Sequence, residues 1–310
     1  MESPSYVASR FTENRRRGEI KLTLFSICIP TYNRCKKLER CLLSVLPQAV
    51  KYNVPIYVSD NASSDATSVL LSKLKLQYPD LLIVKRQKST VNIDQNMLDV
   101  LSMSSAQYAL WLGDDDTLAP NALQIILSAL QNQPDLCVLG LEGHSLQDRY
   151  EHADEFFRDY GLVGLNLSMH FSTLIVDVQA IKKLPNALRF KGTMHLYAGC
   201  VLDYLALQEQ RKGHVSVYLL PSKLLNLSKA RKKSWSQSKQ SIYLQFIPTW
   251  ISQLHEYYHK SRIGKKRMSD YYEYIYSPIF LKIINVNTCP SFLRKIVYLL
   301  SKIFKHLKLK

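Results

Sequence analysis

The stretch Tyr108–Pro120 reads YALWLGDDDTLAP. Its first five residues form an apolar run of strand length, ended by Gly113. Asp114, Asp115 and Asp116 follow without a spacer, and Pro120 then opens a helical pattern at a first-turn position that proline favours. Three carboxylates therefore sit at the C-terminal end of a core strand, the edge at which open α/β sheets bind their ligands. Carboxylates this close repel one another unless protons or a cation neutralise them. A hard divalent ion with oxygen ligands, Mn2+ or Mg2+, does so and brings phosphate oxygens with it. The competing reading is a capped turn, because Asp residues also cap helices and Asp116 stands four residues before Pro120.

Upstream, the pattern alternates. Phe25–Pro30 (FSICIP) is a short apolar strand, followed by the polar loop Thr31–Arg34 and a helical spacing through Leu38, Cys41, Leu42, Val45 and Leu46. Val54–Ser59 is a second strand and runs into Asp60–Asp65 (DNASSD), a loop rich in helix-capping residues. A helix over 65–78, a strand over 81–85 and a helix over 92–103 lead back to the strand of the opening stretch. Strand and helix repeated four times predict a doubly wound, mostly parallel sheet with right-handed crossovers. Each polar loop leaves the C-terminal end of a strand, so Thr31–Arg34, Asp60–Asp65 and Asp114–Asp116 are expected on one rim.

Further on, a helix is expected over 120–132, a strand over 135–141, a polar insertion over 142–164, a strand over 171–176 and a short helix over 178–184. A loop over 185–192, an apolar helix over 194–210 and a strand over 215–220 complete the predicted core. After Leu227 the character changes. Ser228–Lys239 (SKARKKSWSQSK) is basic and polar, 240–285 holds two Tyr-rich helical patterns, and Ser291–Lys310 (SFLRKIVYLLSKIFKHLKLK) is one amphipathic helix. The division predicted is a mobile leader over 1–22, a catalytic domain over 23–227 and a basic helical extension over 228–310.

Charge follows that division. The net charge is +16, with 41 Lys and Arg against 25 Asp and Glu. Residues 211–310 carry 20 basic against 3 acidic side chains, so residues 1–210 hold 21 against 22 and are near neutral. A face this basic meets nucleic acid, an anionic membrane or an anionic substrate. In the last helix Phe292, Leu293, Ile296, Val297, Leu300, Ile303, Phe304 and Leu307 form an apolar stripe flanked by Arg294, Lys295, Lys302, Lys305, Lys308 and Lys310. That pattern suits the interface of an anionic bilayer better than a nucleic-acid groove, so nucleic acid is not expected as a partner. The alternative is a helix packed on the catalytic core. The basic run Lys229–Lys233, with Trp235, reads as a solvated loop or as a cover for a diphosphate. No apolar stretch reaches 18 residues and the first 17 residues lack a signal-peptide core, so a cytoplasmic chain lying on the inner face of the membrane is expected. Six cysteines without a C-x-x-C pair read as reduced thiols.

With the three rim loops in place, the chain resembles glycosyltransferase family 2, the inverting nucleotide-sugar transferases of the GT-A fold. FSICIPTYNR resembles the family's first strand and nucleotide loop, VSDNASSDAT its second strand and base-binding Asp loop, VNIDQNML a helix opening near the sugar diphosphate, and YALWLGDDDTLAP its metal motif. Gly113 stands where the family often has the first acidic residue, a variant similar to the abequosyltransferase type that builds bacterial surface polysaccharide. The resemblance implies a nucleoside-diphosphate-sugar donor held by Pro30, Thr31, Tyr32, Asn33, Asp60, Asn61, Asn92, Asn96, Asp114 and Asp115. It implies Mn2+ or Mg2+ on Asp116, with Asp114 alongside, and a glycan acceptor that is lipid-linked. Inversion needs a general base on the acceptor hydroxyl. The candidates are His195 and Asp203, two helical turns apart on roughly one face, with Glu209 behind them. Two rivals are a metal-dependent nucleotidyltransferase, for which Pro30–Asn33 lacks a Gly-rich phosphate loop, and a nucleic-acid-binding protein using the basic C-terminal region.

Overall fold

The computed structural model describes residues 23–140, 148–160, 170–221, 223–228 and 245–275. The predicted leader, the basic run Lys229–Lys239 and the amphipathic helix Ser291–Lys310 lie outside the described residues. The core is one eight-stranded sheet in the order β3-β2-β1-β4-β8-β6-β9-β7. Its strands are β1 (Phe25–Thr31), β2 (Ile56–Asp60), β3 (Leu82–Arg86), β4 (Tyr108–Trp111), β6 (Leu136–Leu139), β7 (Arg149–Tyr150), β8 (Leu174–Asp177) and β9 (Val217–Leu220). A short antiparallel pair, β5 (Thr117–Leu118) with β10 (Leu225–Asn226), stands apart from it.

The first half is the alternating pattern made solid. β1 is buried along its whole length, as a parallel strand covered on both faces must be, and so its sequence is almost continuously apolar. It pairs in parallel with β2 on one side and β4 on the other. Helices α1 (Cys35–Tyr52) and α2 (Thr67–Gln77) pack on one face, where Leu38, Cys41, Leu42, Val45, Leu46 and Ala49 of α1 join Leu71 and Leu74 of α2 in one core cluster. Helix α3 (Ile93–Met103) crosses to the other face and buries Met97, Val100 and Leu101 there. The chain moves outward from β1 to β2 and β3, then returns to β4 on the opposite side. The C-terminal ends of β1 and β4 therefore form the switch point at which such sheets open a crevice.

The second half departs from a uniform parallel sheet. β8 runs antiparallel to both β4 and β6, and β7 runs antiparallel to β9. The polar insertion predicted over 142–164 contains β7 and the helix α5 (Ala153–Tyr160), which buries Phe156, Phe157 and Tyr160. Helix α4 (Ala122–Leu130) follows the acidic loop, and α6 (Val178–Lys182) and α7 (Leu196–Lys212) follow β8. The described chain ends in α8 (Ile247–Ser252), α9 (Glu256–Lys260) and α10 (Arg262–Ile275). Trp250 and Tyr258 from this last group are fully buried against the cluster that holds α7, so helices beyond residue 227 complete the core. No helix among the described residues is long and apolar enough to cross a membrane.

Candidate active site

The acidic loop starts where β4 ends and is shaped by Gly113. An added Cβ at Gly113 would stand 2.8 Å from Asp116 Oδ2 and 3.1 Å from Ser172 Oγ, so a side chain there displaces what the loop needs. Gly113 N donates to Ser172 Oγ at 2.9 Å, and Ser172 Oγ donates to Asp116 Oδ2 at 2.5 Å. The other oxygen of Asp116 accepts Ser228 N at 2.9 Å. The pairing of β5 with β10 brings Ser228 there, because it runs the chain back along the exit of the acidic loop.

Asp114 points across the switch point. Its carboxylate accepts Thr31 Oγ1, from the end of β1, at 2.7 Å and Arg34 Nη1 at 2.9 Å. Asp115 faces the first turns of α1, with Lys37 Nζ at 3.1 Å and Arg34 Nη1 at 3.3 Å, while Arg40 donates to its backbone carbonyl at 2.6 Å. Burial pushes the carboxyls of Asp114 and Asp116 above the usual range; Arg34 and Thr31 pull the first back down, and Ser172 and Ser228 the second. Side-chain exposure is 19% for Asp115 and 6% for Asp114, so Asp115 is the member of this pair a ligand reaches more readily.

The other predicted donor-site residues divide into a frame and a surface. Pro30 and Thr31 are buried in β1. Asp60 is 1% exposed; its carboxylate accepts Ser63 N at 3.0 Å and Arg86 Nη1 at 2.8 Å, and so orders its own loop. Asn61 clasps the backbone of Val91, accepting its N–H and donating to its carbonyl, both at 2.8 Å. Asn96 is buried and holds Ser59 of β2. Asn33, in the left-handed region at φ 52°, accepts Ser64 N at 2.7 Å, so the Thr31–Arg34 loop and the Asp60–Asp65 loop are stitched together. Asn92 caps α3 by accepting Gln95 N. The exposed members are Tyr32, Asn33 and Asn92.

The two base candidates part company. Asp203 lies about 12 Å along α7 from His195 at the 1.5 Å helical rise. One of its oxygens is in an ion pair with Arg189 and the other accepts His255 N at 3.1 Å. It is a buried joint between α7 and the chain leading into α9. Glu209 similarly ties down the start of α5, accepting Ala153 N and meeting His152 Nδ1. His195 is also largely buried, but at the rim end of α7. Its Nδ1 lies 2.8 Å from the Thr193 carbonyl, which fixes a proton on Nδ1 and leaves Nε2 as the acceptor nitrogen. Burial lowers the imidazole below its ordinary value. A file of rings, Phe171 to Tyr197 at 5.7 Å and Tyr197 to His195 at 6.3 Å, connects it to the wall of the acidic loop. Asp94, in the first turn of α3, accepts Gly192 N and Met194 N at 2.8 and 3.1 Å and pins the turn that carries His195.

Sequence reasoning passed over Lys37, Arg40, Arg86, Asp94 and Ser172. The first two were legible: Arg34, Lys37 and Arg40 recur every three residues from the end of the nucleotide loop, one cationic face for three carboxylates. Asp94 and Ser172 carry no local signal, since their partners lie 98 and 56 residues away.

A mostly parallel sheet with its polar loops and acidic loop gathered at the β1/β4 switch point defines the GT-A class of folds. The chain belongs to glycosyl transferase family 2, whose family model matches residues 26–186. It is similar to abequosyltransferase RfbV of Salmonella typhimurium, 36% identical over 115 residues, which is 36% of this chain and 34% of that protein. It is also similar to the GalNAc(5)-diNAcBac-PP-undecaprenol beta-1,3-glucosyltransferase of Campylobacter jejuni, 29% identical over 102 residues and 33% of each chain. The chain thus matches about a third of the length of these relatives. Among solved structures it is similar to S. aureus TarS 1–349 in complex with UDP-GlcNAc, with a TM-score of 0.57, 17% identity, and coverage of 81% of this chain and 73% of that one.

Proposed function

We propose that this chain is an inverting glycosyltransferase that moves a sugar from a nucleoside-diphosphate-sugar to a lipid-linked glycan of a bacterial surface polysaccharide. The observation that carries it is the lock between Thr31, Arg34, Lys37 and Asp114–Asp115, which joins a nucleotide loop to an acidic loop at the sheet's switch point. The name of the Salmonella relative supports transfer of a sugar, that of the Campylobacter relative an undecaprenyl-diphosphate carrier, and the ligand of the TarS structure a nucleotide-sugar donor.

Tyr32 and Asn33 touch the base and ribose, within a loop that Asp60 holds in place. The acidic loop offers hard oxygen donors of the kind Mn2+ or Mg2+ takes. Among the described residues no group of three His, Cys, Asp or Glu side chains surrounds a metal position. The ion would be held by Asp115, the most exposed of the three carboxylates, with Asp116 next to it, and by the phosphate oxygens the donor brings. Bound there, it would neutralise charge on the leaving diphosphate. Arg34 and Lys37 add fixed positive charge at the same place. His195 Nε2 accepts the proton of the acceptor hydroxyl as the new glycosidic bond forms; its lowered basicity keeps it neutral at pH 7.

The test incubates the full chain with a panel of nucleoside-diphosphate-sugars, Mn2+ and an extract of lipid-linked glycans, and measures released nucleoside diphosphate. One donor should give acceptor-dependent release, and His195→Gln should lower kcat by about 100-fold or more while donor affinity holds. Absence of both binding and release across the panel would sink the proposal.

A further inference from the structure

Among the described residues, most large apolar side chains are buried, and the exceptions are not scattered. Four of the seven exposed ones, Leu43, Val50, Val69 and Leu76, lie on α1 and α2. Each helix contributes a pair seven residues apart, which is two turns and one face. Their exposure runs from 52% to 85%, and Pro47, also exposed, stands between the two on α1. The opposite faces of both helices bury their apolar residues in the same core cluster against the same side of the sheet, so the exposed residues look out in one direction. These helices are amphipathic toward the sheet and apolar again toward solvent, a pattern that globular packing does not call for.

The charge around this face is one-sided. Lys36, Lys51, Lys73 and Lys75 are exposed on the same two helices, and Glu39 is the one acidic side chain on either. Lys37 and Arg40 are excluded from this set because they hold Asp115. Residues 1–210 are near neutral as a whole, so the excess is local. Apolar side chains ringed by lysines complement a surface with an anionic layer over hydrocarbon. The face also has a fixed relation to the site. Asp65 accepts Cys35 N and Thr67 N, both at 3.0 Å, so α1 and α2 begin together at the rim that carries the nucleotide loop.

We propose that the outer face of α1 and α2 is a docking surface for an anionic lipid bilayer, separate from the C-terminal amphipathic segment. Lying on this face, a bilayer meets the enzyme beside the rim, where a lipid-carried substrate arrives. The proposal rests on the faces of the two helices and holds whether or not the transfer reaction proposed above is correct.

The test measures sedimentation of the full chain with vesicles of phosphatidylcholine and phosphatidylglycerol, and with phosphatidylcholine alone, without donor or acceptor. The variant Leu43→Gln/Val50→Gln/Val69→Gln/Leu76→Gln should lower the partition coefficient on anionic vesicles at least tenfold. Lys36→Glu/Lys51→Glu/Lys73→Glu/Lys75→Glu should lower the preference for phosphatidylglycerol to what the C-terminal segment alone supports. Contributions from two attachment points multiply, so the loss is readable with the C-terminal segment in place, and Phe292→Gln/Ile296→Gln/Leu300→Gln reports on that segment alone. Unchanged partition in the first variant would overturn the proposal. So would a drop in its melting temperature, which would show another part of the chain packed there, or a change in its mass by sedimentation equilibrium, which would show a second copy.

Discussion

At the scale of one residue, Gly113 shows how the site was built. The resemblance drawn from the sequence often places an acidic residue at that position, and the packing here leaves no room for a side chain. The position that a Cβ would take is filled by the Asp116 carboxylate, held by Ser172, which also receives the Gly113 N–H. Three neighbouring groups thus fit only if the first carries no side chain. Gly113→Ala should push Asp116 off Ser172 and cost about 1–3 kcal/mol, the usual range for forcing one carbon into a packed site. Urea denaturation measures that, and donor turnover should fall with it. A variant as stable as the parent, with full turnover, would show that the loop relaxes around the methyl. Ser172 itself was not foreseeable: a serine 56 residues downstream, beyond an insertion, is placed by β8 running back beside β4.

At the scale of an element, α1 does more than cover the sheet. Its first turns supply Lys37 and Arg40 to Asp115, and its middle supplies Ser44 and Gln48 to the backbone of Leu118, Ala119 and Leu123, so one helix grips the acidic loop from entry to exit. A dication on Asp115 has to displace Lys37. The pair is part-exposed, and such pairs contribute about 1 kcal/mol or less. Lys37→Met should therefore tighten Mn2+ binding by about fivefold at most, read by calorimetry without donor, while weakening donor diphosphate binding; weaker Mn2+ binding would mean that Lys37 organises the carboxylate instead. Helix α7 carries the opposite lesson. Its apolar spacing located the helix well, but helical spacing alone could not tell which of its polar residues pair inside the fold. Asp203 and His195 share a face in projection, yet Asp203 is matched to Arg189 and His255 N. Breaking a buried pair leaves a charge stranded, so Asp203→Ala should cost about 3 kcal/mol in chemical denaturation, at the low end because Arg189 is part-exposed. Its kcat at a permissive temperature should stay near that of the parent, unlike that of His195→Gln.

At the scale of the whole molecule, the first half of the fold was legible because every signal there is local. Apolar strands, polar loops and capped helices alternate, and a parallel sheet with a switch point follows from their order. The second half was less legible because its direction is set by long-range pairing. No local pattern announces that β8 runs against both neighbours, or that a two-residue strand at 149–150 closes the sheet. The cost of assembling the rim falls on the whole molecule as well, since it buries ionisable groups. Desolvation holds Asp94, Asp114, Asp116 and Asp203 above the ordinary carboxyl value of 3.8 and holds His195 below 6.5. The two sets act with opposite sign. A carboxyl raised on folding gives stability that is fully present below 3.8 and is lost as pH rises through its folded value. An imidazole lowered on folding gives stability that is present above 6.5 and is lost as pH falls toward its folded value, because the unfolded chain then binds the proton more tightly. His195 should therefore set a downward slope in unfolding free energy as pH is lowered from 7.5 through 6.5. Urea titrations across that range should show His195→Gln losing less stability than the parent over the same interval. Parallel curves for the two proteins would mean that the imidazole is as free to take up a proton in the fold as in the open chain.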